Sequence, residues 1–397
     1  MSWNQQVGKK LNKEMILQEV LISSGTGTSG ISRNEIIEKT SLKKATVANL
    51  VKELIEEQFI VEAGMDVSTG GRRSKLLKLN GKAGYALGID IGVNYLRGII
   101  TDLNGVIVFD NNEEILDTTF TSYFRKIVTL IQLLELNVPA SPYKIIGLGI
   151  AVPGIIDTEG LIIKAPNLGW QQIDLITMLK DHVNYPIYIS NEANAGGFAE
   201  FSFIHNHQHQ NLLFVSIGFG IGVGIFVNGE LYHGELGFSG ESGHMIIQVN
   251  GKKCRCGRNG CWEAYASEYA LLQEAEAALT IPDLTLEKLI ALSAKEKDIQ
   301  NIFTDIGHYI GIGLVNLIYT FNPSKIIIGN RITLLQDQIK QSMIDITTEQ
   351  SSAPFVNKTE IEFSTLQDKA IVLGAASIVI NHFLQPSIMG AKNGINP

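Results

Sequence analysis

Two stretches of the chain repeat one pattern, and this repeat limits the possible fold more than any other feature. Residues 85–108 read YALGIDIGVNYLRGIITDLNGVIV, and residues 212–232 read LLFVSIGFGIGVGIFVNGELY. Each has a strand, a glycine turn, a second strand and an Asn-Gly dipeptide, which favours two-residue hairpins because both positions take positive φ. The repeat predicts a duplicated α/β lobe. We expect a ligand in the cleft between the copies.

A small helical module is predicted before the first copy of the repeat. The apolar spacing predicts a helix over about residues 9–24, and Ser32 with Glu35 forms the capping box of a short second helix. A third helix is expected over residues 43–58. A short helix, a tight turn and a longer helix form a helix-turn-helix. Residues 59–80 then read as two apolar strands around a Gly-rich turn, which predicts a wing.

The charge distribution favours DNA binding by this module. Residues 1–80 carry 12 basic and 9 acidic side chains, a net charge of +3, whereas the remainder carries −11. A basic module on an acidic body is typical of a DNA-reading arm attached to a small-molecule domain. The alternative is a solvated helical module that mediates protein contacts. The residues expected to reach phosphates and base edges are Lys43, Lys44, Thr46, Asn49, Arg72 and Arg73.

All the cysteines of the chain lie in one short segment, CRCGRNGC at residues 254–261, with His244 just upstream. Three thiols and an imidazole complete the tetrahedral shell of a structural Zn²⁺ and leave no open position for water. Three unrelated buried thiols are the alternative. The clustering favours a structural zinc site whose ligands are His244, Cys254, Cys256 and Cys261.

Composition narrows the class of protein. Apolar residues make up 45% of the chain and charged residues 18%, which is ordinary for globular domains. The length favours two to three domains. No apolar run approaches a membrane span, and the N-terminus lacks the apolar region of a secretory signal. Clustered thiols suit a reducing compartment, so we expect a cytoplasmic protein that makes no membrane contact.

Six motifs together resemble the ROK family of sugar kinases and sugar-responsive repressors. They are DIGVN (90–94), VPGIID (152–157), NEANAG (191–196), SIGFGIGVGI (216–225), GFSGESGH (237–244) and CRCGRNGCWE (254–263). The resemblance covers essentially the whole chain. It implies an α/β fold in which a winged helix-turn-helix (1–80) precedes two ribonuclease H-like, or actin-like ATPase, lobes. The first lobe is expected over 81–196, with 368–391 packing back as a C-terminal helix, and the second over 197–367.

The resemblance also implies a sugar site beside the zinc ligands. Asn191, Glu192, Glu241, His244 and Glu263 match the family's hydroxyl-binding positions, and Asn167 is a plausible further contact. Carboxylates and amides suit a polyol because each can bridge adjacent hydroxyls. Any one of them alone could be a solvated acid or a capping residue. The implied ligand is a monosaccharide inducer, with xylose favoured over other pentoses or hexoses and Glu192 as a hydrogen-bond acceptor.

Nucleotide chemistry is not expected, because the sequence departs from the kinase pattern at four places. Val93 and Asn94 replace Gly and Thr of the first phosphate loop, and Phe219 replaces a hydroxyl residue of the second. Asn330 and Arg331 replace two glycines of the adenosine-side loop, and Glu192 replaces the catalytic Asp. We therefore predict that the protein has no catalytic residues and is not an enzyme. We expect a homodimeric repressor, with a tetramer as the alternative, that sugar releases from a symmetric operator. An ATP-dependent sugar kinase with an added DNA-binding domain is the alternative. A third possibility is a repressor that answers to a protein partner.

Overall fold

A computed structural model describes residues 3–25, 30–65, 75–205, 208–281, 284–293, 296–350 and 358–384. Its N-terminal part contains three helices and three short strands. These are α1 (Trp3–Gly25), β1 (Ile31–Ser32), α2 (Arg33–Thr40), α3 (Lys44–Glu56), β2 (Ile60–Met65) and β3 (Lys75–Leu79). The strands form an antiparallel sheet in the order β1-β3-β2. Arg72 and Arg73, at the tip of the expected wing, lie outside the described residues.

The helix boundaries of this part follow local capping more closely than apolar spacing. The predicted capping box of α2 is confirmed, since the Ser32 hydroxyl accepts from the Glu35 amide and the Glu35 carboxylate accepts from the Ser32 amide. Helix α2 ends at Ser41, whose φ of 56° turns the chain into α3. Helix α1 begins at Trp3 instead of near residue 9, because its polar first turns contribute little to the apolar stripe.

Two five-stranded sheets form the body, and a small three-stranded sheet lies beside the first. The first sheet contains β4 (Tyr85–Ile91), β5 (Tyr95–Asp102), β6 (Ile107–Glu114), β7 (Ile145–Val152) and β11 (Ile187–Asn191). The small sheet contains β8 (Ile155–Ile156), β9 (Ile162–Ala165) and β10 (Trp170–Ile173). The second large sheet contains β12 (Leu212–Ile217), β13 (Ile221–Val227), β14 (Glu230–Leu231), β15 (Lys325–Gly329) and β16 (Glu360–Phe363).

The two large sheets have one topology. Their orders are β11-β7-β4-β5-β6 and β16-β15-β12-β13-β14. In each, the first three strands along the chain form an antiparallel meander, and the last two join in parallel. The duplicated α/β lobe expected from the glycine-broken hairpins is therefore confirmed.

The two Asn-Gly turns differ. Asn228 and Gly229 both have positive φ, 54° and 78°, as the two-residue hairpin requires. At the first turn only Gly105 does, with φ of 78°, so the expectation for Asn104 was wrong. The Asp102 carboxylate instead accepts hydrogen bonds from the amides of Asn104 and Val106, both at 2.9 Å, and this local bonding replaces the left-handed residue.

The helices pack on both faces of these sheets. They are α4 (Phe120–Asn137), α5 (Leu175–Leu179), α6 (Glu192–Ala199), α7 (Glu263–Ala266), α8 (Glu268–Leu279), α9 (Leu286–Ser293), α10 (Lys297–Phe321), α11 (Gln336–Glu349) and α12 (Ala370–Leu384). Helix α12 lies across β4 and β7 of the first sheet and against α6. Helix α6 also packs on β12 and β13, and it runs through the expected lobe boundary between residues 196 and 197.

Helix α12 approaches its neighbours at backbone distance. A Cβ on Gly374 would collide with the Ala195 carbonyl of α6, and a Cβ on Gly149 in β7 would collide with the carbonyl of Ala375. Only glycine permits such an approach. The C-terminal helix is thus packed at once against the first sheet and against the helix that joins the two lobes.

Helix α10 is long and apolar enough to cross a membrane by length and composition alone. Its buried residues, including Phe303, Ile310 and Leu314, belong instead to the core of the second lobe, and α11 packs along it. A helix with this many buried contacts is a core helix, because a membrane span would turn those side chains toward lipid.

Candidate metal and ligand site

The segment between β14 and α7 gathers four potential metal ligands. One atom of each of His244, Cys254, Cys256 and Cys261 lies within 4.8 Å of all the others. The Cys256 and Cys261 sulfurs are 3.6 Å apart, and the Cys254 sulfur is 3.8 Å from His244 Nδ1. Tetrahedral thiolates at the usual Zn–S length are about 3.8 Å apart. The donor set and its spacing therefore fit a four-coordinate metal ion.

Backbone turns bring these side chains together. Short antiparallel bridges join Ile246 to Cys261 and Lys253 to Asn259, so the cysteine segment folds back on itself. Gly257 and Gly260 have φ of 93° and 79°, values that favour glycine. Cys254 and Cys261 are buried while Cys256 is exposed, so one edge of the cluster faces solvent.

The His244 ring lies between the cysteine cluster and a carboxylate. Its Nδ1 faces Cys254, and its Nε2 lies 3.9 Å from Glu241 Oε2. Metal-bound histidines commonly direct the second ring nitrogen toward a carboxylate, which orients the ring. Glu241 is thus placed to orient His244 as well as to face the cleft.

Glu263 begins α7 directly behind the cluster. Its Oε2 accepts from the Ile221 amide at 3.2 Å, and its Oε1 lies 3.7 Å from the Cys254 sulfur. A Cβ on Gly220 would come within 2.6 Å of the same carboxylate. The second glycine loop, the cysteine segment and α7 therefore meet at this one side chain.

The cleft holds a concentration of carboxylates. Burial, first of all, and the charges of three neighbouring carboxylates together raise the pKa of Glu192 to about 8; the neighbours are Asp90, Glu241 and Glu263. Burial likewise raises the pKa of Asp90 to about 7 and that of Glu241 to about 6. At neutral pH Glu192 is therefore mostly protonated, so it can donate a hydrogen bond.

The two predicted asparagines are already engaged by protein groups. Asn191 caps α6: its Oδ1 accepts from the amides of Ala193 and Asn194, at 2.8 and 3.4 Å, and its Nδ2 donates to the Gly154 carbonyl at 2.7 Å. Its carbonyl oxygen is thus used by the helix, and one amide hydrogen remains for a ligand. Asn167, in the turn between β9 and β10, accepts a 2.8 Å hydrogen bond from Arg255 Nη1.

Two groups at the cleft escaped sequence reasoning. Asp90 is fully buried, with Oδ2 accepting from the Tyr95 hydroxyl at 2.9 Å and Oδ1 lacking a protein partner. Arg255 lies between two of the cysteines and contacts Asn167, Phe219 and Glu263. The DIGVN motif was a signal for Asp90. Nothing in the sequence pointed to Arg255, because its partners lie on distant segments.

Protein side chains contact the positions that correspond to a kinase's nucleotide loops. The Asn330 amide donates to the Ser216 hydroxyl at 3.0 Å, and Asn330 has φ of 69°. Arg331 donates through Nε to both oxygens of Glu268, at 2.9 and 3.0 Å, and through Nη2 to Glu287 at 2.9 Å. These polar groups satisfy one another within the protein.

The predicted DNA-contact residues Lys43, Lys44, Thr46 and Asn49 lie at the start of α3. Lys43, Lys44 and Asn49 are exposed, and Thr46 is half-buried. Lys44 also lines a groove between α2, α3 and β3 with two further cations that sequence reasoning missed, Arg33 and Lys75. Both of these cations form ion pairs with Glu62. The pKa of Glu62 is lowered, chiefly by its hydrogen bond to the Lys75 ammonium and next by that to the Arg33 guanidinium.

The chain is similar to known proteins over nearly all its length. The model of the ROK family matches residues 86–382. The xylose repressor of Bacillus subtilis (strain 168) is 41% identical over 378 residues, 95% of this chain and 96% of that protein. A putative xylose repressor of Caldicellulosiruptor sp. (strain Rt8B.4) is 35% identical, again over 95% of this chain and over 97% of its own length.

Solved structures show the same fold. A ROK family transcriptional regulator, described as a homologue of the E. coli MLC protein, matches with a TM-score of 0.79 at 24% identity, over 95% of this chain and 98% of its own. A ROK family glucokinase from Streptomyces griseus, in complex with glucose and AMPPNP, has a TM-score of 0.65 at 24% identity, over 74% and 99%. By its motifs, its duplicated sheets and its family match, the chain belongs to the ROK family.

Proposed function

We propose that this protein is a cytoplasmic, sugar-responsive transcriptional repressor whose inducer is a monosaccharide, with xylose favoured. The observation that carries the proposal is the extent of similarity to named xylose repressors. A match over 95% of the chain has to include most of residues 1–80 as well as the cleft. The glucokinase match, by contrast, omits about a quarter of this chain. One chain therefore combines a DNA-binding type of module with a sugar-binding type of cleft.

The N-terminal module is proposed to be a winged helix-turn-helix over residues 1–80. This proposal is supported by the turn at Ser41 that joins α2 to α3 and by the antiparallel pairing of β2 with β3 that follows. In this arrangement the start of the second helix enters the major groove, so Lys43, Lys44, Thr46 and Asn49 are the proposed contacts. Arg72 and Arg73 are proposed to reach the minor groove or phosphates from the wing tip.

Replacing both Arg72 and Arg73 with alanine should weaken operator binding at least about tenfold, because two phosphate or minor-groove contacts are lost. A gel-shift titration at fixed salt measures this. Arg125→Ala, which removes an exposed arginine from α4, is the matched control. Unchanged affinity of the double variant would remove the wing from the DNA interface.

The cysteine cluster is proposed to hold a structural Zn²⁺ through His244, Cys254, Cys256 and Cys261. The ion would supply folding energy to the loop and would leave no open position for chemistry. One ring nitrogen of His244 faces the cluster, and the other faces Glu241. The Glu263 carboxylate lies next to Cys254. The loop thereby holds carboxylates at the cleft, where Asn167, Asn191 and Glu192 complete the proposed sugar site.

The absence of kinase chemistry is proposed on the contacts of the former nucleotide positions. Asn330 bonds Ser216, and Arg331 pairs with Glu268 and Glu287. The backbone carbonyl of Phe219 accepts from Arg255. Glu192 is one methylene longer than the aspartate of the kinase motif, which displaces a general base from its productive position. An ADP-release assay with xylose and glucose tests this point; sustained turnover would favour the kinase alternative.

Operator release is proposed to work by linkage in a homodimer. The lobes, over about 81–196 with the C-terminal helix and about 197–367, would change their relative positions when sugar binds, and this would alter the spacing of two winged helices on a symmetric operator. D-xylose should raise the operator dissociation constant, and operator DNA should weaken D-xylose binding by the same factor. Fluorescence titrations in both orders measure the two factors. Independent affinities would reject linkage.

A further inference from the structure

One side chain links the cysteine segment of the second lobe, residues 254–261, to the first lobe; this segment is called the metal loop below. Arg255 lies between Cys254 and Cys256. Its Nη1 donates a 2.8 Å hydrogen bond to Oδ1 of Asn167, which lies in the turn of the small first-lobe sheet. Its Nη2 donates at 2.8 Å to the carbonyl of Phe219, in the glycine loop of the second lobe. The guanidinium therefore spans the cleft.

Two aromatic rings contact this guanidinium. Its central carbon lies 4.3 Å from the ring centroid of Phe219 and 4.5 Å from that of Tyr269. The two rings also contact each other, with centroids 5.1 Å apart. A planar guanidinium can stack on rings while both terminal nitrogens donate, which a lysine ammonium cannot do. Phe219, which is unsuited to a phosphate loop, thus serves as a platform for Arg255.

The same guanidinium also faces the proposed sugar site. Arg255 Nη2 lies 3.6 Å from Glu263 Oε1, and the arginine side chain is only 30% exposed. Glu263 in turn contacts Cys254. Arg255, which belongs to the metal loop, therefore contacts both the Glu263 carboxylate of the cleft and Asn167 of the opposite lobe.

We propose that Arg255 is a positioning residue that ties the metal loop to the first lobe and sets how strongly sugar binding is coupled to lobe arrangement. The proposal rests on the proposed function and adds to it. Donor and acceptor lie on different lobes, so any relative rotation of the lobes changes the distance from Arg255 to Asn167. The bond is therefore made in one arrangement and lost in others, which is the differential contact that linkage requires. The Arg255–Asn167 bond holds sugar-contacting groups of both lobes at one cleft. The lobe arrangement that this bond favours is therefore the one that binds sugar.

The test is a double-mutant cycle read out by isothermal titration of D-xylose into the full-length, zinc-loaded protein. Arg255→Ala and Asn167→Ala should each weaken D-xylose binding about tenfold, and the double variant should be no weaker than either single variant. Arg255→Lys keeps the charge but loses the planar fork, so it should resemble Arg255→Ala. Lys253→Ala removes a cation from the same loop and should bind as the wild type does. Asn167→Ala removes the acceptor on the other lobe without altering the metal loop. Because Asn167 is also a proposed sugar contact, the link is measured by the coupling in the double variant and not by this single loss.

The possible outcomes are distinct. Single losses that multiply to about a hundredfold in the double variant would mean that the two residues act independently, and the tie would be rejected. Full rescue by Arg255→Lys would also reject it, because charge alone would then suffice. A wild-type protein that binds none of D-xylose, L-arabinose and D-glucose would instead reject the proposed inducer class, and this inference with it.

Discussion

At the scale of single residues, the environment of Glu192 matters more than its identity. A glutamate at the start of a helix would ordinarily be ionised, because the helix N-terminus favours negative charge. Burial in the cleft, next to Asp90, Glu241 and Glu263, outweighs this effect and raises the pKa of Glu192 to about 8. The protonated acid can both donate and accept, which suits a hydroxyl that is itself donor and acceptor.

The raised pKa of Glu192 predicts a pH dependence of stability. The folded state holds the proton up to about pH 8, whereas the unfolded chain releases it near the ordinary value of 4.5, so this group's stabilisation is complete below pH 4.5 and is lost as the pH rises to 8. Glu192→Gln, which mimics the neutral acid, should match the wild type at pH 5 and exceed its Tm by about 5 °C at pH 9.

Differential scanning fluorimetry across that pH range measures the difference, with Glu159→Gln in an exposed turn as the control. A constant difference between Glu192→Gln and the wild type from pH 5 to pH 9 would contradict the raised pKa.

At the scale of elements, the central feature is the crossing of α12 with α6 and the first sheet. The residues at this crossing, Gly374, Ala375 and Ala376, are small, and the facing positions in the sheet include Gly88 and Gly149. The joining helix therefore lies at backbone distance from the C-terminal helix. Such a contact transmits displacement directly, because close-packed interiors have little room to absorb it.

Gly374→Ala should be strongly destabilising, since the new Cβ would meet the Ala195 carbonyl, a backbone group that cannot move aside by a rotamer change. We expect a loss of about 3 kcal/mol, seen as a lower midpoint in urea unfolding. Gly8→Ala on α1, where a Cβ meets nothing within 4 Å, should be neutral or slightly stabilising. A wild-type midpoint for Gly374→Ala would mean that the two helices are not in close contact.

At the scale of the whole molecule, the cysteine cluster and the proposed DNA-contact helix α3 lie in different parts of the chain. The four cluster residues contact the carboxylates Glu241 and Glu263. Helix α3 lies in the N-terminal part of the chain, where Val47, Leu50 and Leu54 belong to a core that continues into the first sheet and α12. Loss of the ion should therefore affect sensing and leave DNA contacts in place.

Cys256→Ser should lower zinc affinity at least about a hundredfold, because a thiolate ligand is lost. Operator affinity without sugar should remain within about threefold of the wild-type value, and D-xylose should no longer release the DNA. Metal analysis and operator titration with and without sugar measure these three quantities. Normal induction by D-xylose in a zinc-free variant would show that the loop is incidental to sensing.

The sequence by itself determined the duplicated lobe, the capping box of α2 and the four-residue cluster of potential metal ligands. Each of these depends on short-range patterns: strands separated by glycine turns, Ser32 and Glu35 three residues apart, and thiols close together along the chain. Their signals are local because the interacting groups are near neighbours in the chain.

Only the tertiary structure decided what depends on distant segments. The protonation of Glu192, the approach of Gly374 to Ala195 and the bond from Arg255 to Asn167 each join residues far apart in sequence. Burial and electrostatic neighbours are properties of the folded assembly, so no local pattern encodes them. For the same reason Asn191 is both a predicted sugar contact and a helix cap, and only its hydrogen bonds to Ala193 and Gly154 reveal that part of its capacity is already used.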